Sequence, residues 1–157
     1  YVNYDMLVKD WTRENAETIL HPALYEDLCR IHTGQEPAVK DGRIPAALYE
    51  QIMMLYLPVT KEQVRKLCGY DAETDSYPHE VVMHRQYPPF GEVTDFEENP
   101  DGTITLTVDG VWIEHGTDCA FTNTIVVQPF ADGSFRYLSN TMEQKDAKYQ
   151  LTAAGRP

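Results

Sequence analysis

Along the first part of the chain apolar positions recur at helical spacing. Between Tyr4 and Trp11, positions 4, 7, 8 and 11 share one face and Asn3 stands where a cap is needed, which predicts a short amphipathic helix. From Asn15 to Ile31, Leu24, Leu28 and Ile31 mark a second helical face, with Pro22 suited to a first turn and Gly34 to a stop. A break at His21-Pro22 is expected within it. Residues 35–43 mix Gly, Pro and charge and read as a loop. Pro45 then opens a helix through Leu48, Ile52, Met53, Leu55 and Tyr56 that is apolar over more than half its circumference until Pro58 ends it. Next, Thr60 and Gln63 form a capping box, Val59 and Val64 occupy the staple positions, and Gly69 supplies a left-handed stop. A helix over 61–68 follows.

Beyond Tyr70 the chain becomes acidic and proline-bearing, a long connection with one extended piece expected at Glu80 to His84. Val93 to Glu97 then leads into the hairpin signal Asn99-Pro100-Asp101-Gly102, after which Ile104, Leu106 and Val108 alternate with Thr103, Thr105 and Thr107. That alternation predicts a half-buried strand. At Asp109-Gly110 the apolar parity shifts to Val111 and Ile113, which predicts a bulge in a continuous strand. Strands over 120–130 and 134–140 follow, joined by Ala131-Asp132-Gly133.

Helices followed by strands predict a single α+β domain with N-terminal helices packed on one face of a C-terminal antiparallel sheet of about four strands. Its parts are a helical half (about 3–69), a linker (about 70–91), a meander (about 92–141) and a tail (142–157). Leu48, Ile52, Leu55, Ile104, Leu106, Val108, Ile125 and Val127 are the expected core. The element order resembles cone-shaped folds of the nuclear-transport-factor-two type, in which helices and a curved sheet enclose a pocket.

Composition narrows the partners. The chain's 157 residues suffice for one core without help from metals or disulfides. Acidic residues outnumber basic ones by 25 to 13, a formal charge of −12 without any basic stripe, which argues against nucleic acid and anionic membranes. The longest apolar run, Ile52 to Leu57, is too short to span a bilayer. Protein, peptide, glycan or small-molecule partners are left. The chain opens Tyr1-Val2-Asn3-Tyr4 without Met, so a trimmed signal or lipoprotein leader is expected, a domain boundary being the alternative.

The phrases Asp101-Gly102-Thr103-Ile104-Thr105-Leu106-Thr107-Val108-Asp109, Gly116-Thr117-Asp118-Cys119-Ala120-Phe121 and Asp132-Gly133-Ser134-Phe135 through Ser139-Asn140 resemble a family of uncharacterised, exported proteins of gut Clostridia and relatives. The resemblance lies mainly in residues 101–140. It implies an extracytoplasmic setting and carries over no activity and no catalytic residue.

Candidate chemistry is sparse. His79 and His84 flank Glu80 as a zinc-protease pair would, but their separation of five places them about 140° apart on a helix, so no metal site is expected. Asp71, Glu73 and Asp75 open like a calcium loop, yet Ser76 replaces the turn glycine and Val82 the bidentate acid, leaving a solvated loop. His115, Asp118 and Cys119 hold the residue inventory of thiol catalysis in one acidic segment without Lys or Arg to activate the thiol. They are the catalytic candidates should the chain be an enzyme. Trp112 and Tyr137, expected on facing strands, are the ligand-platform candidates. No cofactor is expected. Cys119 should be a buried free thiol, and Cys29 with Cys68 the sole plausible disulfide pair, though separate burial is the expectation. Two readings remain: a non-catalytic extracytoplasmic binding or accessory domain, and a small pocket enzyme or ligand carrier using His115 and Asp118. A closed ionisable cavity would favour the second, and a filled interior with apolar surface outside would favour the first.

Overall fold

A computed structural model describes residues 4–80 and 89–145. In chain order come α1 (Tyr4–Leu7), a 3₁₀ turn (Ala16–Ile19), α2 (Leu24–Thr33), β1 (Arg43–Pro45), α3 (Ala46–Tyr56), α4 (Lys61–Leu67) and β2 (Ser76–Pro78). Then follow β3 (Phe90–Glu98), β4 (Ile104–Val111), a second 3₁₀ turn (Ile113–His115), β5 (Phe121–Pro129) and β6 (Phe135–Gln144). The last four strands form an antiparallel meander in the order β3-β4-β5-β6, and α1 and α3 pack against it. The fold is α+β, as the change of period predicts.

α4 starts where its capping box places it: Thr60 Oγ1 accepts from the Gln63 amide, and Gln63 Oε1 from the Thr60 amide. The break at His21-Pro22 separates the 3₁₀ turn from α2, which stops at the left-handed Gly34. The first helix is shorter than its periodicity predicts. α1 ends at Leu7 because the side-chain amides of Asn123 and Asn140 donate to its Leu7 carbonyl at 2.7 and 3.2 Å, and Asn140 also donates to Lys9 O. Trp11 then exchanges two backbone hydrogen bonds with Asn140, lying along the β6 edge instead of continuing the helix. The expected linker contains β2, which pairs with β1 through Arg43–Pro78, Ile44–Tyr77 and Pro45–Ser76. The extended piece expected at 80–84 lies outside the described residues apart from Glu80.

The bulge is not at Asp109-Gly110. Those two residues stay in register with Glu92 and Gly91, and the shifts fall on the edge strands, at Thr94 in β3 and at Leu138 in β6. Gly110 serves another purpose: the Phe121 ring lies against it, so that a Cβ there would come within 2.2 Å of the ring. The parity change at Val111 reflects an end of the strand where both faces are covered, since Gly110, Val111 and Trp112 are all buried.

One continuous core joins the halves, with Met6, Leu7, Trp11, Ile52, Met53, Phe121 and Ile125 almost fully buried. Of the expected core residues, Ile52, Val108, Ile125 and Val127 are buried, whereas Leu48, Leu55, Ile104 and Leu106 are only partly so. The last two are partly open because they face the groove at the hairpin end of the sheet.

Candidate functional site

The residues singled out for thiol chemistry lie on the connection between β4 and β5. His115 and Asp118 are exposed and Cys119 is half-buried, where burial was expected. Cys119 Sγ lies 3.4 Å from Thr122 Oγ1, whose hydroxyl donates to Asp109 at 2.9 Å, and 3.8 Å from the Phe121 carbonyl. These are short-range contacts of the strand's first residues. His115 instead meets Trp112 edge to face, ring centres 4.3 Å apart.

Trp112 and Tyr137 do not face each other. Tyr137 is opposite Val127, which is opposite Ile104, so it belongs to the other end of the sheet from Trp112. Eight positions separate Ile104 from Trp112, on the order of 26 Å of extended chain.

The acidic loop is spent on its own turn. Asp71 accepts from the Glu73 amide and the Thr74 hydroxyl, which hold its carboxyl below the usual range, and Asp75 accepts from Tyr70. His79 donates its amide to Gly42 O, and His84 lies outside the described residues. Among the described residues no group of three His, Cys, Asp or Glu is placed to hold a metal ion. All three cysteines are free, Cys29 and Cys68 each buried.

One cluster of polar groups that sequence reasoning missed sits inside the helical half. The rings of Tyr25, Tyr49 and Tyr77 stack at 4.4 and 4.0 Å, drawing α2, α3 and β2 together. Beside them the buried Glu50 accepts from Tyr77 OH at 2.9 Å and from Arg65 Nε at 2.6 Å, with Lys61 Nζ at 3.4 Å. Burial raises the Glu50 pKa, but the Arg65 and Tyr77 hydrogen bonds outweigh it and hold the carboxyl below its ordinary value. Burial pushes the neighbouring Cys68 thiol up to about 11. A satisfied acid and a protonated thiol, both buried, make a structural tie.

An open concavity lies elsewhere. Both long hairpins turn at the same end of the sheet and are built alike. In each a turn (Asn99 to Gly102, Phe130 to Gly133) ends in a glycine with φ near +85° (+83° and +87°). In each, too, an aspartate accepts from the amide and hydroxyl two residues on, Asp101 from Thr103 and Asp132 from Ser134. Beyond the helices, this end leaves the apolar side of the sheet open as a groove of about 350 Å³. Val93, Ile104, Leu106, Val127, Pro129, Phe130, Phe135 and Tyr137 supply its apolar lining.

The edge-strand bulges make that lining continuous. Residues three apart would normally point to opposite sides of a strand. With the extra residue at Thr94, Val93 opposes Val108 and Phe96 opposes Leu106, both on the apolar side. Val93 is 53% and Phe96 64% exposed. On β6 the same device puts Tyr137 beside Val127 and Asn140 beside Ile125. α3 closes one flank, where Tyr56 meets Phe135 at 5.3 Å and Arg136 Nε donates to Leu55 O. The groove lining contains no carboxylate, amine, imidazole or thiol.

Fold and site together define an α+β domain with a continuous buried core and, among the described residues, an uncovered apolar sheet end. The model of a family of unknown function (DUF6070) matches residues 1–154, and the chain belongs to that family. No curated protein and no solved structure matches it.

Proposed function

We propose that the chain is a non-catalytic binding domain whose contact surface is the apolar groove at the hairpin end of the sheet. One observation carries the reading: an apolar concavity at the hairpin end is open to solvent, lined by Val, Ile, Leu, Phe and Tyr, and among the described residues its lining holds no carboxylate, amine, imidazole or thiol. Groups that could do such chemistry are engaged elsewhere, as Glu50 is, or exposed on the far connection, as His115 and Asp118 are. The extracytoplasmic setting belongs to this reading through the resemblance in residues 101–140; fractionation that leaves the native protein in the cytosol would remove it.

Titration with Nile red, a neutral dye that brightens in apolar surroundings, tests the groove. The wild-type domain and His115→Ala/Cys119→Ala should both bind it, whereas Leu106→Lys and Phe130→Ser, each checked for folding by circular dichroism, should lose about tenfold or more in affinity. Equal binding by the folded groove variants would overturn the assignment, and a turnover lost in the His115/Cys119 variant would restore the enzyme alternative.

A further inference from the structure

Among the described residues the groove runs out onto a sheet edge with no further strand on it. β6 is partly covered along its edge by Trp11, which pairs with Asn140, but among the described residues β3 has β4 as its one strand neighbour, and eight of its nine residues are exposed. An edge strand offers unpaired amides and carbonyls to any extended segment of matching chemistry. The two sides of β3 differ in that chemistry. Val93 and Phe96 stand on the apolar side opposite Val108 and Leu106, with Glu98 opposite Ile104 closing that side, while Glu92, Asp95 and Glu97 oppose Asp109, Thr107 and Thr105 on the other side, which begins at Phe90. One side is a greasy step into the groove. The other is a row of carboxylates on a chain of net charge −12.

We propose that β3 receives an extended, cationic polypeptide as an added strand, its apolar side chains entering the groove and its Lys or Arg side chains meeting Glu92, Asp95 and Glu97. The proposal rests on the groove being a binding surface and names what occupies it. Charge decides the occupant. A second copy of this chain pairing through its own β3 would set acids against acids, the arrangement by which proteins guard exposed edges from self-association. A basic partner turns that repulsion into attraction, steering the encounter and fixing which side of the added strand faces the groove. Backbone pairing supplies length, the groove selects apolar residues at alternate positions, and the acids select basic residues between them.

The test uses a nine-residue peptide alternating lysine with valine and phenylalanine, its glutamate-for-lysine counterpart, and the lysine peptide N-methylated along its backbone. Calorimetry on the wild-type chain should show one-to-one binding of the lysine peptide that weakens with salt, and none of the other two. Glu92→Lys/Asp95→Lys/Glu97→Lys should weaken the lysine peptide about tenfold or more while leaving Nile red binding unchanged, and Phe96→Ser should weaken the peptide. The N-methylated peptide binding as tightly as its parent would overturn strand addition. So would sedimentation showing a dimer that Phe96→Ser dissociates. A lysine peptide that fails while Nile red still binds overturns this proposal and leaves the groove reading standing; failure of both removes both.

Discussion

Glu50 shows how a single buried charge is made tolerable. The residue is 5% exposed, yet Tyr77 of β2 and both Arg65 and Lys61 of α4 surround its carboxylate. Removing the charge leaves Arg65 and Lys61 able to reach water, so the cost is set mainly by the lost hydrogen bonds. Glu50→Gln should therefore destabilise the domain by about 1–3 kcal/mol at neutral pH. Because the folded pKa lies below the ordinary 4.5, the contribution is fully present above that value and is lost as the pH falls through the folded pKa. Urea melts at stepped pH should show wild type and variant converging as the pH falls from 4.5 through the lowered folded pKa. A difference that stays constant down to low pH would mean the carboxylate charge is not what stabilises.

Between elements, close approach at single positions decides register. The Phe121 ring fills the space a Gly110 side chain would need, so Gly110→Ala should cost about 1–3 kcal/mol by overpacking. Pairing it with Phe121→Leu should recover part of the loss, measured by thermal melting; a double variant no better than the single one would show that the ring contact is not the cause. What was legible in the sequence follows the same logic of distance. The 61–68 helix was readable because Thr60, Gln63, Val59 and Val64 all signal within six residues. The hairpin turns were readable from Asp-Gly pairs. The β1–β2 ribbon was not, since three-residue strands over thirty residues apart carry no local period. The first helix was over-extended because nothing near Leu7 announces that Asn123 and Asn140 will take its carbonyl. The bulge was misplaced because Asp109-Gly110 imitates one, whereas the sign of the real one was the three-residue spacing of Val93 and Phe96.

At the scale of the molecule, the helical layer leaves part of the sheet's apolar side uncovered at the hairpin end, and this opening makes the site. Sequence reasoning put Tyr137 among ligand candidates but paired it with Trp112, at the other end; Val93, Phe96, Phe130 and Phe135 were missed because exposure of apolar residues depends on where the helices stop. Ile104 and Leu106 looked like core for the same reason. Ile52, Leu24 and Leu28 are fully buried under the helices, while Val93, Ile104, Leu106 and Val127 line the groove. The two sets have the same chemistry and differ only in access to a ligand. Methyl NMR of a domain labelled at Ile, Leu and Val, titrated with Nile red, therefore tests the account most directly. It predicts shifts confined to Val93, Ile104, Leu106 and Val127 with Ile52, Leu24 and Leu28 unmoved; shifts centred on the helical half, or around Trp112 and His115, would contradict it.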